Sequence, residues 1–365
     1  MKTIIQVVQH LRPGGIESLA LDLLAFADKN ENNLIISLEG ELESAIAHWP
    51  KLEQYREQLI FVNKQSGLSP SVLLTLIKIF KQKQVDTIHT HHIGPLLYAG
   101  LAARLSKAKH LIHTEHDAWH LNDNKRCKIQ RNAIKFLQPI LVADANIVAN
   151  TMQQRLQCDN NINVIYNGIN TDYFIPGNQD TARKQLNLPQ HVQIIGCAGR
   201  MEKVKGQSVL INAIRKLPEH VHIAFAGSGS VEAKLREQVI KLNLEQRVHF
   251  LGHIEKMPTF YQALDLFCLP SLNEGFPLSP LEAQACNIKT LVTDVGASKE
   301  TLCPESGQYI SPNNIHGMAL TLNVMLMINT KSTPRNFVKK YANIKKMVTA
   351  YAGLRQVSMP MGSKL

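Results

Sequence analysis

Short apolar runs alternate along the whole chain with longer amphipathic stretches, and that rhythm constrains the fold more than any other feature. In the first half the runs are Ile4–Val8, Leu34–Leu38, Leu59–Val62, Val85–His89, His110–His113, Ala145–Val148 and Val164–Tyr166. In the second half they are Val192–Ala198, Val221–Ala226, Val248–Leu251, Leu266–Leu269 and Thr290–Thr293. Between them lie helical patterns such as Ile16–Ala27, where Ile16, Leu19, Ala20, Leu23, Leu24 and Ala27 recur on one face. Repeated strand–helix units of this kind predict parallel sheets covered by helices, an α/β fold of Rossmann-like, doubly wound type.

At 365 residues the chain exceeds what one hydrophobic core usually serves, so two domains are expected. The turn dipeptide Asn167-Gly168 and the polar stretch Pro176 to Asp180 mark the boundary. The expected division is an N-terminal domain over 1–170, a C-terminal domain over 171–335, and a last helical segment over 336–365 that crosses back to the first domain. Hydrophobic residues at 44% and charged residues at 19% suit a globular protein, and no apolar stretch reaches the roughly 18 to 20 residues of a spanning helix. The N-terminus reads as a short strand rather than a signal peptide, so a cytoplasmic location is expected. Six scattered cysteines without a C-x-x-C pair argue against a zinc ribbon or a disulfide framework.

In open parallel sheets, ligands bind beyond the carboxyl ends of the strands, where loops lead into helix N-termini. The first strand runs into Leu11-Arg12-Pro13-Gly14-Gly15-Ile16-Glu17, whose two glycines admit a bulky anion close to the backbone. A Gly-Gly turn also occurs in many folds for purely structural reasons. Strand Val192–Ala198 is followed by Gly199-Arg200-Met201-Glu202-Lys203-Val204-Lys205-Gly206. There Arg200 offers a planar fork and Lys205 a point charge to a diphosphate, unless both are ordinary solvated turn residues. After Leu269-Pro270-Ser271 comes Asn273-Glu274-Gly275-Phe276-Pro277-Leu278-Ser279-Pro280-Leu281-Glu282, with two carboxylates eight residues apart across a loop-to-helix junction. Glu274 in the loop is free to meet sugar hydroxyls, and the Gly275 to Ser279 backbone faces the anionic part of a ligand. Glu282 can bind a ribose, close a capping box with Ser279, or do both, with Pro280 at the first helical position.

This last element resembles the E-x7-E signature of retaining glycosyltransferases of GT-B fold, and the chain as a whole is similar to glycosyltransferase family 4. The likeness extends to Gly14, Gly15 and Glu17, to Val164-Ile165-Tyr166-Asn167-Gly168-Ile169-Asn170, to Gly199-Arg200 with Lys205-Gly206, and to Val248-His249-Phe250-Leu251-Gly252. It implies two domains facing a cleft, the second binding a nucleotide diphosphate-sugar and the first an acceptor. By the resemblance, Arg200 and Lys205 hold the diphosphate, Glu282 the ribose and Glu274 the sugar, while Gly15 closes over the phosphates. Retention of configuration and no cofactor or metal are implied as well, and the absence of an Asp-x-Asp pair agrees. The implied pathway is bacterial surface polysaccharide or lipopolysaccharide biosynthesis, with a glycan or lipid-linked acceptor. Two rival readings keep the fold: an epimerase acting on the nucleotide-sugar alone, and a catalytically silent sugar-binding subunit.

His89, His91, His92, His110, His113, His116 and His120 crowd one stretch of the first half. No H-E-x-x-H or comparable ligand spacing appears, so no metal site is expected there. By the resemblance, His116 matches the family's active-site histidine and contacts the transferred sugar. Asp117 beside it is an acceptor-side candidate, and His89 and His91 either line the acceptor side or are structural. The net charge of +11 is concentrated late: Lys331, Arg335, Lys339, Lys340, Lys345, Lys346, Arg355 and Lys364 stand in a stretch without acidic residues. A second basic stretch spans Arg104 to Lys135. Either run is a solvated face or a contact with an anionic membrane; no nucleic-acid partner is expected.

Overall fold

The computed structural model describes residues 1–157, 161–328 and 333–356. They form two compact units, Met1–Asn167 with the segment from Ile344 onward, and Gly168–Asn343. Strands of the first unit are β1 (Lys2–Val8), β2 (Glu31–Ser37), β3 (Leu59–Phe61), β4 (Thr87–His91), β5 (His110–Glu115), β6 (Ile140–Ala143) and β7 (Asn163–Val164). All pair in parallel in the order β3-β2-β1-β4-β5-β6-β7. The second unit has β8 (Gln193–Ala198), β9 (Val221–Ala226), β10 (Val248–Phe250), β11 (Leu266–Leu269), β12 (Lys289–Thr293) and β13 (Gln308–Ile310). Its parallel order is β10-β9-β8-β11-β12-β13.

Each sheet reverses winding direction once, between β1 and β4 in the first unit and between β8 and β11 in the second. At such a switch point the loops leaving the two central strands diverge and open a crevice, which is where an open α/β sheet binds its ligand. The central strands β1 and β8 are largely apolar because both their faces are covered, whereas β4 carries buried His89 and His91. Ile4, Ile5, Val7 and Val8 of β1 and Ile194, Ile195 and Cys197 of β8 are all at most 2% exposed.

Three sequence expectations shift. Ala145–Val148 is not a strand: β6 lies earlier, and Ala145 is the extended residue before the helix Asn146–Leu156. Val148, Ala149, Met152 and Leu156 are buried at helical spacing, a period hidden by the apolar run that leads into them. No apolar run marks strand β13, because Gln308 and Tyr309 are exposed on a sheet edge. The helical pattern assigned to residues 336–354 is two helices, Pro334–Tyr341 and Ile344–Leu354. Between them Ala342 accepts a hydrogen bond from the Ile169 N–H (2.9 Å) and the Asn343 amide donates to Thr171 (2.6 Å), so extended pairing interrupts the helix. Ile344, Met347 and Tyr351 pack into the first unit's core beside Leu19, Leu23, Ile112, Val142 and Ile165.

The basic C-terminal stretch is not uniformly a surface. Arg335 donates to the carbonyls of Phe174, Ala285 and Thr171, and Arg355 pairs with Glu31 at 3.1 Å. Lys339, Lys340, Lys345 and Lys346 are exposed, whereas Lys331 and Lys364 lie outside the described residues. Cys127, Cys197, Cys268, Cys286 and Cys303 are buried free thiols; Cys158 also lies outside the described residues. No helix among the described residues is long and apolar enough to cross a membrane.

Candidate active site

In the second unit the loops after β8 and β11 are locked to each other. The Leu272 N–H donates to the Val204 carbonyl at 2.7 Å, and Gly206, in the left-handed region at φ +67°, sits against the Pro270 carbonyl. A Cβ at Gly206 would lie 2.0 Å from that oxygen, so only glycine permits the approach. This close packing delivers Lys205 to Glu274: their charged groups meet at 2.7 Å, and the Ser271 hydroxyl donates to the same carboxylate oxygen at 2.6 Å. Glu274 is 6% exposed. A second glycine supports it from behind, since Gly296 at φ +52° lets its backbone pass the Glu274 carbonyl, and the Ala297 N–H donates to Gly275 at 2.9 Å. Arg200 stands exposed on the same β8 loop, where its charge helps hold Glu202 below the usual carboxylate range after the Ser230 hydrogen bonds.

Glu282 lies in the first turn of the helix Ser279–Ala285. The capping box expected there does not form. Leu278 is the cap, Ser279 is the first helical residue and Pro280 the second, and no side chain caps the helix. The Glu282 carboxylate instead accepts the Tyr261 hydroxyl at 2.6 Å. Burial first and Glu282 second push the Tyr261 hydroxyl well above the ordinary tyrosine range, so it stays a donor. Burial and the same carboxylate also raise Tyr173. Phe276 and Leu278 pack against the unit's core and Pro277 is buried, while Gly275 and Ser279 are half-buried. Tyr261 and Ser271 were not anticipated. Tyr261 reads as one more core aromatic, and nothing along the chain shows where its hydroxyl points.

In the first unit, Gly14 is the extended residue before the helix Gly15–Ala25, and a Cβ on Gly15 would meet open space. Glu17 folds back so that its carboxylate reaches Gly14 and His10, the latter at 3.1 Å. Burial raises its pKa, opposed by its own backbone N–H and by His10.

The histidines separate into two groups. His91 and His116 form a relay at the ends of β4 and β5: Gln6 Oε1 lies 3.0 Å from His91 Nε2, His91 Nδ1 2.9 Å from His116 Nε2, and His116 Nδ1 3.3 Å from Asp144. The Asn167 amide donates to the same Asp144 oxygen at 3.0 Å. Burial, then the neighbouring imidazoles, hold His91 well below the ordinary histidine pKa. His91 is 1% exposed, with both nitrogens engaged, by Gln6 and by His116. His89 is equally buried and meets Thr114 at 2.8 Å, which in turn meets Tyr351 at 3.2 Å.

The second group surrounds Glu115, whose side chain is fully buried. His120 approaches it at 3.1 Å, His113 at 3.3 Å and His92 at 3.8 Å. Burial alone would raise the Glu115 carboxyl; the three imidazoles bring it well below the usual range. Asp117, the other acceptor-side candidate, reaches His92 and His120, each at 3.7 Å.

Known proteins place this architecture. The model of Glycosyltransferase Family 4 matches residues 13–173, and that of Glycosyl transferases group 1 matches residues 178–345. The chain is 35% identical over 173 residues to the lipopolysaccharide core biosynthesis mannosyltransferase LpsB of Rhizobium meliloti, a match covering 42% of this chain and 48% of that protein. The chain spans about half the length of this and similar curated relatives. Among solved structures, a glycosyltransferase from Rickettsia africae superposes with a TM-score of 0.84 at 24% identity, over 97% of this chain and 98% of that one. Anabaena Alr3699/HepE in complex with UDP and glucose superposes at 0.81 and 20% identity, over 98% and 100%. Two parallel-sheet units of this topology, each matched by its own half of the same enzyme class, make the chain a member of the GT-B glycosyltransferases of family 4 type.

Proposed function

We propose that the protein is a retaining glycosyltransferase that moves a hexose-type sugar from a nucleotide diphosphate-sugar to a glycan or lipid-linked acceptor, without a metal on the diphosphate. The observation that carries this reading is the Lys205–Glu274 pair at the β8/β11 switch point, with Glu282 fixed by Tyr261 one helical turn beyond. An ammonium held by a carboxylate that a hydroxyl in turn fixes is a preorganised cation. A diphosphate takes up that charge on arrival and is stabilised by it on departure. Arg200 adds a bidentate donor set, the Gly275 to Ser279 backbone adds N–H groups, and Glu282 accepts ribose hydroxyls. Glu274, released in part by Lys205, accepts sugar hydroxyls. His116, oriented by Asp144 on one side and His91 on the other, meets the transferred sugar.

In the step we infer, the acceptor hydroxyl attacks the anomeric carbon on the face the diphosphate leaves. The bond from that carbon to the phosphate oxygen breaks, the bond to the acceptor oxygen forms, and the departing phosphate oxygen takes the hydroxyl proton. A sugar trapped covalently on Glu274 would contradict this step. Bacterial surface polysaccharide or lipopolysaccharide synthesis is the proposed setting, supported by the naming of LpsB. A peripheral place at the inner face of the membrane is supported by the helix Asn124–Leu137, which exposes Lys125, Arg126, Lys128 and Lys135 beside Ile129 and Phe136. Salt-sensitive sedimentation with anionic but not neutral liposomes tests that placement; equal binding to both removes it. The transfer itself is tested by incubating labelled UDP-, GDP- and ADP-sugars with bacterial glycolipid extract. A labelled product with the donor's anomeric configuration is expected, and an inverted product, or an epimerised donor formed without acceptor, would refute the reading.

A further inference from the structure

The Glu115 cluster has a role that sugar transfer does not use. Both Glu115 oxygens are buried, and although imidazoles lie at ion-pair distance, none is aligned to hydrogen-bond them. A fully buried carboxylate in that state costs free energy unless some other partner takes up its lone pairs. One ligand atom from each of His92, Glu115 and His120 lies within 4.8 Å of the other two. Ligand atoms around a tetrahedral zinc sit roughly 3.3 Å apart, and His120 Nε2 lies 3.1 Å from one Glu115 oxygen while His92 Nδ1 lies 3.8 Å from the other, so small side-chain adjustments bring the set to that spacing.

The far nitrogens matter as much. Nδ1 of His92 and Nε2 of His120 face Glu115, while the opposite nitrogen of each faces Asp117 at 3.7 Å. A carboxylate behind a ligating imidazole fixes its tautomer and strengthens it as a ligand, and here one aspartate serves two histidines. His113 is oriented likewise by Thr90, 3.0 Å from its Nδ1. His92 is held at φ +68°, a conformation that few non-glycine residues adopt, and its side chain is 27% exposed, which leaves an entry path from solvent.

We propose that His92, Glu115 and His120 bind a divalent transition ion of the zinc class, with Asp117 as its outer-shell carboxylate. Two imidazoles and one carboxylate leave a position open, close to the Gln130 amide oxygen that lies 2.6 Å from His120 Nε2. The ion ties the exits of β4 and β5 to the turn Trp119–Asn122 and thereby fixes the segment that carries His116. The inference does not rest on the donor site, since it concerns other residues and is read without turnover.

The test is titration of chelator-stripped full-length protein with ZnCl2, followed by calorimetry and thermal unfolding, and with CoCl2, followed by visible absorption. Saturable binding of one ion per chain, a raised melting temperature and the intense d–d bands of low-coordinate Co2+ are expected. Asp117→Asn should weaken binding about 10- to 100-fold, and Glu115→Gln and His92→Gln should weaken it further. His222→Gln, which removes a histidine from a separate pair in the second unit, should leave it intact. No saturable binding by the wild type, unchanged binding in His92→Gln, or loss of binding in His222→Gln overturns the proposal. His92 is partly exposed, so that variant keeps the test decisive if Glu115→Gln does not fold.

Discussion

Lys205 and Glu274 stand 69 positions apart in sequence and share one ion pair, so a change at either tests both folding and chemistry. Lys205→Met leaves Glu274 with Ser271 as its remaining close partner in a site where it is 6% exposed. Breaking such a pair is expected to cost about 3 kcal/mol of stability. Transfer should fall by about 10²- to 10³-fold, the scale of losing one preorganised donor to a departing charge, while Arg and Lys changes elsewhere on the surface leave it within error. Chemical denaturation and turnover on the same preparation separate the two effects. Arg200, Lys205, Glu274 and Glu282 were legible as chemistry-bearing because charged residues of these types stand together at strand exits. Their partners were not: Tyr261 and Ser271 act through hydroxyls whose direction depends on tertiary packing. A second residue-scale prediction concerns His222, whose pKa burial, then His249, Arg247 and His220, lower from 6.5 to about 4. It is neutral in the folded protein and takes a proton on unfolding, so its contribution to stability is present above about pH 6.5 and is lost as pH falls toward 4. The melting temperature of His222→Asn should fall less steeply across that window than that of the wild type; equal slopes would remove His222 as the cause.

At the scale of elements, the loops after β8 and β11 do their work through backbone geometry. Gly206→Ala adds a Cβ 2.0 Å from the Pro270 carbonyl at a left-handed position, where the conformation alone costs roughly 1–2 kcal/mol. The loop must shift to relieve the overlap, carrying Lys205 away from Glu274. The expected result is lower stability together with weaker donor binding. Gly15→Ala, whose Cβ meets open space and whose residue begins a helix, should leave stability nearly unchanged, so a comparable loss there would show that the effect is not steric. Strand–helix alternation made nearly all the central strands legible, because strands buried on both faces are mostly apolar. The same argument fails at the edges, where β13 is short and exposed. It also fails where an apolar run passes from strand into helix without a break, as from β6 through Ala145 into Asn146–Leu156. The capping box failed for a related reason, since the Tyr261 hydroxyl holds Glu282 and the chain starts its helix from Leu278.

For the molecule as a whole, the return of Ile344–Leu354 to the first unit means that the chain's two cores are not simply consecutive. Tyr351 is 4% exposed and donates to or accepts from Thr114, so Tyr351→Ala should destabilise the first unit by about 3–5 kcal/mol. Differential scanning calorimetry should show that loss in the transition of the first unit alone. A hydrophobic pattern revealed the helical segment, but its break at Ala342-Asn343 arises from pairing with Ile169 and has no local signal. In the proposed function, the β8/β11 crevice binds a nucleotide diphosphate-sugar through Lys205, Glu274 and Glu282. The most direct test is thermal unfolding of wild-type protein and of Lys205→Met and Glu282→Gln against a panel of UDP-, GDP- and ADP-sugars. Any ligand that binds the folded state raises its melting temperature by mass action. One nucleotide class should raise that of the wild type in a dose-dependent way, with the shift reduced in both variants. No shift from any nucleotide-sugar, or a shift that both variants retain in full, would contradict it.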